Sequence, residues 1–574
     1  MIESREKIWH LKDEPSNALW LARNIGVSKL LATLLLQRNI STPDSARSFL
    51  FPRLGALRDP FLLEDMDRAV ELAAWCITER KKITVYGDYD ADGLTATALL
   101  VDFFSKLETP VSFYIPHRLE EGYGLNEGAV KGIAEGGTEL MITVDCGISS
   151  SSEIALAQSL GLEVIVTDHH QIPAYFQPIC PTINPLRPDS AFPFKDLSGV
   201  GLAFYLAIAI RSHLRDRGFF EKGPEPDLRR YLDLVALGTI ADIVPLVEEN
   251  RIFVKSGLAT LMGGKRPGIR ALREVSGIRE DQVLTTDDVA FRLAPRLNAL
   301  GRLGSATSAV RMLTTGSELE AESIAKRMDS LNSQRQAIEN RIVSESREKI
   351  EKMEDLDVRR TLVLFDSKWH RGVVGIVASK IVEEYYRPTL ILTLEGDLLK
   401  GSGRSIEGFD LYHALSDLDD LLDHFGGHHY AAGLSIEAQK VKEFCKRFEE
   451  LARKRIDPDA MVQKVEVDAQ LDLEAITPQL LKELERLMPF GSQNPPPLFY
   501  AGPLRAVSSK VVGNDHLRIR IKNKRITFDC IAFGKAQFHP LDGKSVEILF
   551  HVGTNTWQGI ESIQLVIAEL RVFS

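Results

Sequence analysis

Cysteine is scarce in this chain: Cys76, Cys146, Cys180, Cys445 and Cys530 are the only five in 574 residues, with no CxxC pair. That scatter excludes a disulfide framework and a zinc ribbon, and points to a reducing cytoplasm. Long apolar runs are missing as well. The longest, around Leu202–Ile210, falls far short of the ~20 residues that cross a bilayer, so no membrane partner is expected. The opening MIESREKIWHL is polar and mixed in charge, so no secretion signal is expected either. A positive balance is also lacking: the formal net charge is −10. Alone, that favours a small-molecule enzyme, although a local basic surface can exist on an acidic chain. Internal repeats and low-complexity tracts are absent.

What is present is the composition of a globular protein, 44% hydrophobic and 26% charged, long enough for three or four domains at ~150 residues each. Between about 80 and 170, apolar β-branched runs at Ile83–Tyr86, Val111–Ile115, Leu140–Val144 and Val164–Thr167 alternate with amphipathic segments. The intervening patterns predict helices over Leu94–Leu107, from an N-cap at Asn126, and over Ser152–Leu160. Strand and helix in alternation predict an α/β domain on a parallel sheet. A Pro- and Gly-marked region with a helix at Leu202–His213 completes a unit over 51–315, after an N-terminal helical segment over 1–50. Residues 317 to about 355 contain neither Pro nor Gly. Leu319, Ile324, Met328, Leu331, Ile338 and Ile342 recur there at helical spacing, which predicts a long connecting helix within 316–356. A smaller α/β unit is expected over 357–458. Over 459–574, five β-segments broken by Gly, Asn and Asp turns predict a small barrel of the oligonucleotide-binding (OB) kind.

The strongest chemical signal is Gly87-Asp88-Tyr89-Asp90-Ala91-Asp92-Gly93, three carboxylates in five residues directly after an apolar strand. Left bare they repel, whereas hard divalent cations would neutralise them. A solvated turn is the plain alternative. An EF-hand is excluded, because the twelfth loop position counted from Asp88 is Leu99, not Glu. Two further strands end in chemistry: Asp145 follows Leu140–Val144, and Asp168-His169-His170 follows Val164–Thr167. In parallel sheets, ligands bind at the carboxyl ends of strands. Asp242, inside the apolar Gly238-Thr239-Ile240-Ala241-Asp242-Ile243-Val244-Pro245, would be costly without a cation or partner. Carboxylates with imidazole and no thiolate suit Mn²⁺ or Mg²⁺, and so many anionic donors imply two ions, a known arrangement for hydrolysing phosphate esters.

These motifs, in this order, resemble the DHH phosphoesterase superfamily, and within it the RecJ-like single-stranded-DNA exonucleases. VYGDYDADGLTATALL, GTIADIVPL, APRLNALGRLG, WHRGVVGIVASK, GSGRS and FGGHHYAAGLS carry the likeness across nearly the whole chain. Arg371 departs from it, standing where proline is expected, outside the acidic cluster. The resemblance implies metal ligation by Asp88, Asp90, Asp92, Asp145, His169 and Asp242. It implies that His170 contacts the scissile phosphate and that Asp168 orients an imidazole. It also implies a terminal-phosphate pocket of Arg118, Arg302, Ser402 and Arg404, with His428 at the substrate.

From the residues themselves, Gly401-Ser402-Gly403-Arg404-Ser405 reads as a Gly-rich turn able to cradle an anion through backbone N–H groups. Leu517-Arg518-Ile519-Arg520-Ile521-Lys522-Asn523-Lys524 alternates apolar with basic, which on a strand puts Arg518, Arg520, Lys522 and Lys524 on one DNA-facing stripe. The leading expectation is hydrolysis of single-stranded DNA to 5′-mononucleotides in repair and recombination, its 5′→3′ polarity implied by the resemblance alone, with a helicase and a single-strand-binding protein as candidate partners. Cleavage of oligonucleotides or cyclic dinucleotides, and an inactive DNA-binding scaffold, are the alternatives.

Overall fold

The computed structural model describes residues 7–118, 120–173, 175–557 and 560–573; the first six residues of the expected N-terminal segment lie outside them. The catalytic unit is built on five parallel strands. Ile83–Gly87 lies between Val111–Tyr114 and Leu140–Val144, followed by Glu163–Thr167 and the short Thr182–Ile183. Strands Ile83–Gly87 and Leu140–Val144 are buried along their whole length, which explains their unbroken apolar runs. Helices Ala91–Lys106, Glu127–Glu135 and Ser151–Ser159 make the crossovers. As expected, Asn126 caps its helix, accepting from Ala129 N at 2.8 Å. Helices Gly199–Asp216 and Leu232–Ala241 pack on Ala91–Lys106 within one continuous apolar core.

The connecting helix runs 34 residues, Glu318–Glu351. Its pattern holds only in part: Met328 and Ile342 are buried, but Leu319 is 81% exposed. Near the second α/β unit the covered face is polar. Arg335 bonds Glu339 and, at 2.7 Å, Asn332 Oδ1, while Lys380 reaches Glu339 at 2.5 Å. That unit carries a five-stranded sheet in which Leu398–Arg404 is flanked on both sides, by Thr389–Glu395 and Ala431–Glu437.

The C-terminal strands Phe499–Val512, His516–Lys522, Thr527–Ala532, Ser545–Trp557 and Ile560–Phe573 close into a barrel through pairing of the first with the fourth. The N-terminal segment joins this barrel. Strand Ile8–Leu11 pairs in parallel with Lys464–Val467, and Leu21, Leu31, Leu35 and Phe49 share one core with Leu484, Phe499 and Ile548. Among the described residues no single helix is long and apolar enough to cross a membrane.

Candidate metal centre and substrate cleft

Every acid and imidazole singled out in the catalytic unit lies at the carboxyl rim of the parallel sheet. Asp90 caps helix Ala91–Lys106, accepting from Asp92 N at 3.0 Å and Gly93 N at 3.1 Å. Asp92 turns the other way and accepts from Gly199 N at 2.6 Å and Val200 N at 2.9 Å, at the amino end of helix Gly199–Asp216. Asp145 sits at φ +62°, a backbone region Asp tolerates better than most residues. Asp242 is the carboxyl cap of helix Leu232–Ala241. Side chains larger than hydrogen are excluded beneath these groups. A Cβ on Gly199 would stand 2.7 Å from Asp145 Cβ, and one on Gly238 2.7 Å from Asp92 Oδ1.

The donors form three overlapping sets, each within 4.8 Å: Asp88, Asp90 and Asp145; Asp92, His169 and Asp242; Asp145, His169 and His170. The first two share no residue, as two neighbouring cations require. His169 Nε2 lies 3.0 Å from Asp145 Oδ1, 3.6 Å from Asp242 Oδ2 and 3.9 Å from Asp92 Oδ2. Asp88 Oδ1, Asp145 Oδ1 and His169 Nε2 are nonetheless buried without a hydrogen-bond partner. Buried polar atoms of this kind are costly unless something binds them, and a shared cation satisfies all three. The residues fit a divalent metal pair.

Electrostatics agree. Burial, then the neighbouring carboxylates, hold Asp88 and Asp145 well above the carboxylate range and push Asp92 up to about 7 and Asp242 up to about 9. Burial pulls His169 down to about 4, so its imidazole is neutral and a ready ligand. Asp168 serves the other histidine. Burial opposes its ionisation, yet bonds from His170 Nδ1 at 2.7 Å and Ile148 N at 2.9 Å hold it below the usual range. Against its own burial, His170 is raised by Asp168 to about 9.

Beside this centre a cleft of about 750 Å³ separates the catalytic unit from the second α/β unit. Arg118, Arg302, Ser402 and Arg404 all line it. Arg118 stacks on Tyr89 at 4.9 Å, Arg302 donates to Gly372 O at 2.9 Å, and Arg404 donates to Ser402 Oγ at 2.9 Å. None of the three has a carboxylate within 4 Å among the described residues, and burial lowers Arg302 to about 10. Guanidinium groups left without a carboxylate suit an anion.

Four sequence expectations need correction here. Gly401–Arg404 is not a turn but strand, paired on both sides, so its backbone groups serve the sheet and only side chains reach the cleft. Cross-strand register aligns Lys400, Ser435 and His424 in one row, Ser402, Gly433 and Gly426 in the next, and Arg404, Ala431 and His428 in a third. The middle row is a nearly bare backbone floor. His428 is exposed at the end of its strand and does not line the cleft, whereas His424 does. On the barrel, Arg518, Arg520 and Lys522 share the solvent face of His516–Lys522, but Lys524 lies in the following turn. Arg518 and Arg520 also share Asp529, at 3.6 and 3.3 Å. Arg505, Lys522 and Lys524 line one basic groove with no acid among its lining residues.

Tyr123 escaped the sequence reading, although a tyrosine between two glycines at positive φ could have flagged it. Its hydroxyl lies 3.2 Å from Asp145 O and 3.0 Å from His170 Nδ1. Asn298, which accepts from Ala91 N at 2.8 Å, left no local signal. Arg371 is outside the acidic cluster but does line the cleft, 3.4 Å from Glu395.

Comparison with known proteins matches residues 82–239 to the DHH family N-terminal domain, 359–454 to the DHHA1 domain and 467–569 to the RecJ OB domain. The single-stranded-DNA-specific exonuclease RecJ of Bacillus subtilis is 37% identical over 96% of this chain and 69% of its own length. Its Escherichia coli counterpart is 40% identical over 88% and 90%. The crystal structure of Thermus thermophilus RecJ with Mn²⁺ superposes with a TM-score of 0.82 at 32% identity, covering 98% of this chain and 79% of that one. Its Mg²⁺ form gives 0.77 at 31%, over 98% and 78%. With this identity over nearly its whole length, the chain belongs to the RecJ family of DHH phosphoesterases.

Proposed function

We propose that this chain is a divalent-cation-dependent exonuclease that hydrolyses single-stranded DNA from the 5′ end to 5′-mononucleotides, acting in cytoplasmic DNA repair and recombination. The observation that carries the reading is an acid centre short of cations beside a cleft whose arginines, Arg118 and Arg302 from the same unit and Arg404 from the second α/β unit, are short of an anion. A strand whose terminal phosphate rests on Arg118, Arg302, Ser402 and Arg404 presents its first internal phosphodiester toward the acids. An additional charge on a terminal phosphate, absent from an internal diester, favours ends over interiors. Asp88, Asp90, Asp92, Asp145, His169 and Asp242 would hold two divalent cations, which would supply an activated water and charge stabilisation at the phosphoryl group.

The chain's own contribution is orientation and protons. Asp168 fixes His170 through Nδ1, which leaves Nε2 for the substrate. Against the ring's own burial, Asp168 favours its protonated form, which can give its proton to the departing 3′ oxygen as the P–O bond breaks. The bare floor of Gly426 and Gly433 admits a nucleotide flat against backbone, between the row of His424 and that of Arg404. The barrel extends the grip along the strand, which suits long DNA better than dinucleotides, and a helicase and a single-strand-binding protein would supply such strands.

The test is purified protein with Mn²⁺ on strands labelled at either end. Release of labelled mononucleotide from the 5′ end, abolished by Asp90→Ala, is expected. Intact strands, or activity indifferent to Asp90→Ala, would overturn the assignment.

A further inference from the structure

Arg251 is the bulkiest of the side chains buried almost completely, 1% exposed, and it belongs to the catalytic unit, on helix Glu248–Gly263. A guanidinium has five N–H donors. Here Nε donates to Phe49 O at 2.7 Å, Nη1 to Leu487 O at 2.9 Å and Pro489 O at 3.2 Å, and Nη2 to Arg486 O at 3.1 Å and Met488 O at 2.9 Å. Its plane also lies 3.7 Å from the Phe49 ring. No carboxylate is within ion-pair distance among the described residues, so backbone dipoles and the Phe49 ring hold the charge. Four of the five carbonyls follow helix Pro478–Glu485, whose carboxyl end favours a cation.

All five acceptors belong to the unit formed by the N-terminal segment and the barrel, which meets the catalytic unit here. A second thread runs beside the first. Leu246 N donates to Ser492 O at 2.9 Å, and Gly491 is so close that a Cβ would stand 2.6 Å from Leu246 Cδ1. Leu246 is four residues beyond Asp242, so the stretch from metal-facing carboxylate to buried guanidinium is held against the barrel unit.

We infer that Arg251 is a positioning residue, the latch that fixes the barrel relative to the metal centre so that a strand held on one arrives in register at the other. The inference rests on the exonuclease reading above. A lysine has three donors from one point and cannot span carbonyls of two segments, so Arg251→Lys keeps the charge but not the latch.

The experiment compares Arg251→Met, Arg251→Lys and wild type on a long single strand and on a 5′-phosphorylated dinucleotide, with Mn²⁺ saturating. A second binding event on one strand gains from effective concentration, so losing the fixed geometry should raise KM for the long strand by about tenfold or more. Dinucleotide hydrolysis, confined to the cleft, should stay within about twofold, with lysine no better than methionine. Should Arg251→Met fail to fold, Gly491→Val wedges the same junction without touching the guanidinium and should reproduce the split. Parallel loss on both substrates, or no loss on either, overturns the latch. A wild type inactive on both substrates instead overturns the exonuclease reading itself.

Discussion

The two walls of the cleft are opposite in charge and alike in being incomplete. The acid wall gathers Asp88, Asp90, Asp92, Asp145 and Asp242 with orphaned buried oxygens, while the arginine wall beside it joins Arg302 of the same unit to Arg404 of the second α/β unit, with no acid to meet them. Other buried charges are met, Arg187 by Asp65 and Arg266 by Asp233 at 3.1 Å, and Arg251 by a ring of carbonyls. Unmet charge of both signs in one place suits a site that ligands complete.

Substitutions on the acid wall should be the most damaging. Asp90→Ala or Asp145→Ala should lower kcat by about 10³-fold or more, given the several kcal/mol that metal-held charge stabilisation supplies. Calorimetry should show reduced Mn²⁺ uptake alongside lost nucleotide release; unchanged uptake would break the comparison. On the arginine wall the loss should fall on binding. Arg302→Met or Arg404→Met removes charged hydrogen bonds worth about 1.5–3 kcal/mol, raising KM for 5′-phosphorylated strands about 10- to 100-fold. Strands with a 5′ hydroxyl should discriminate poorly between variant and wild type.

The acid wall should also announce itself in stability. A carboxyl raised above its unfolded value of 3.8 contributes stability while protonated, and that contribution fades as pH rises through the folded value. For Asp92 and Asp242 the fading extends to about 7 and about 9. Metal-free protein should therefore melt lower at pH 9 than at pH 6, and added Mn²⁺ should raise Tm more at pH 9. An equal metal effect at both values would mean these carboxyls are ionised without it. The smallest effects belong to the barrel. Lys524→Gln or Arg505→Gln should each reduce the salt slope of single-strand binding by about 1, and Arg518→Gln, already neutralised by Asp529, by less.

Much of this was legible in the sequence because apolar strands punctuated by Asp report sheet and rim together. Asp88, Asp145 and Asp168 each follow such a run, so their convergence followed from parallel topology. Asp242 was visible only as an acid in apolar surroundings; that a helix end delivers it to His169 is tertiary information. Glycine misled at Gly401 and Gly403, where its cause is crowding between strands and not a turn, a Cβ on Gly401 lying 2.0 Å from Ile391 O. Periodicity misled at Leu319, and it could not show that Arg335 and Glu339 would be covered by pairing. Arg251 was illegible altogether, since its partners are carbonyls more than 200 residues away.

The glycine floor has a consequence for what the enzyme can ignore. On the proposed reading Gly426 and Gly433 set no side chain against the base, and their backbone, paired within the sheet, does not tell purine from pyrimidine. An enzyme advancing one nucleotide at a time meets every letter in turn, and a slot selective for any of them would stall it at the others. Indifference, at this position, is what permits uninterrupted progress.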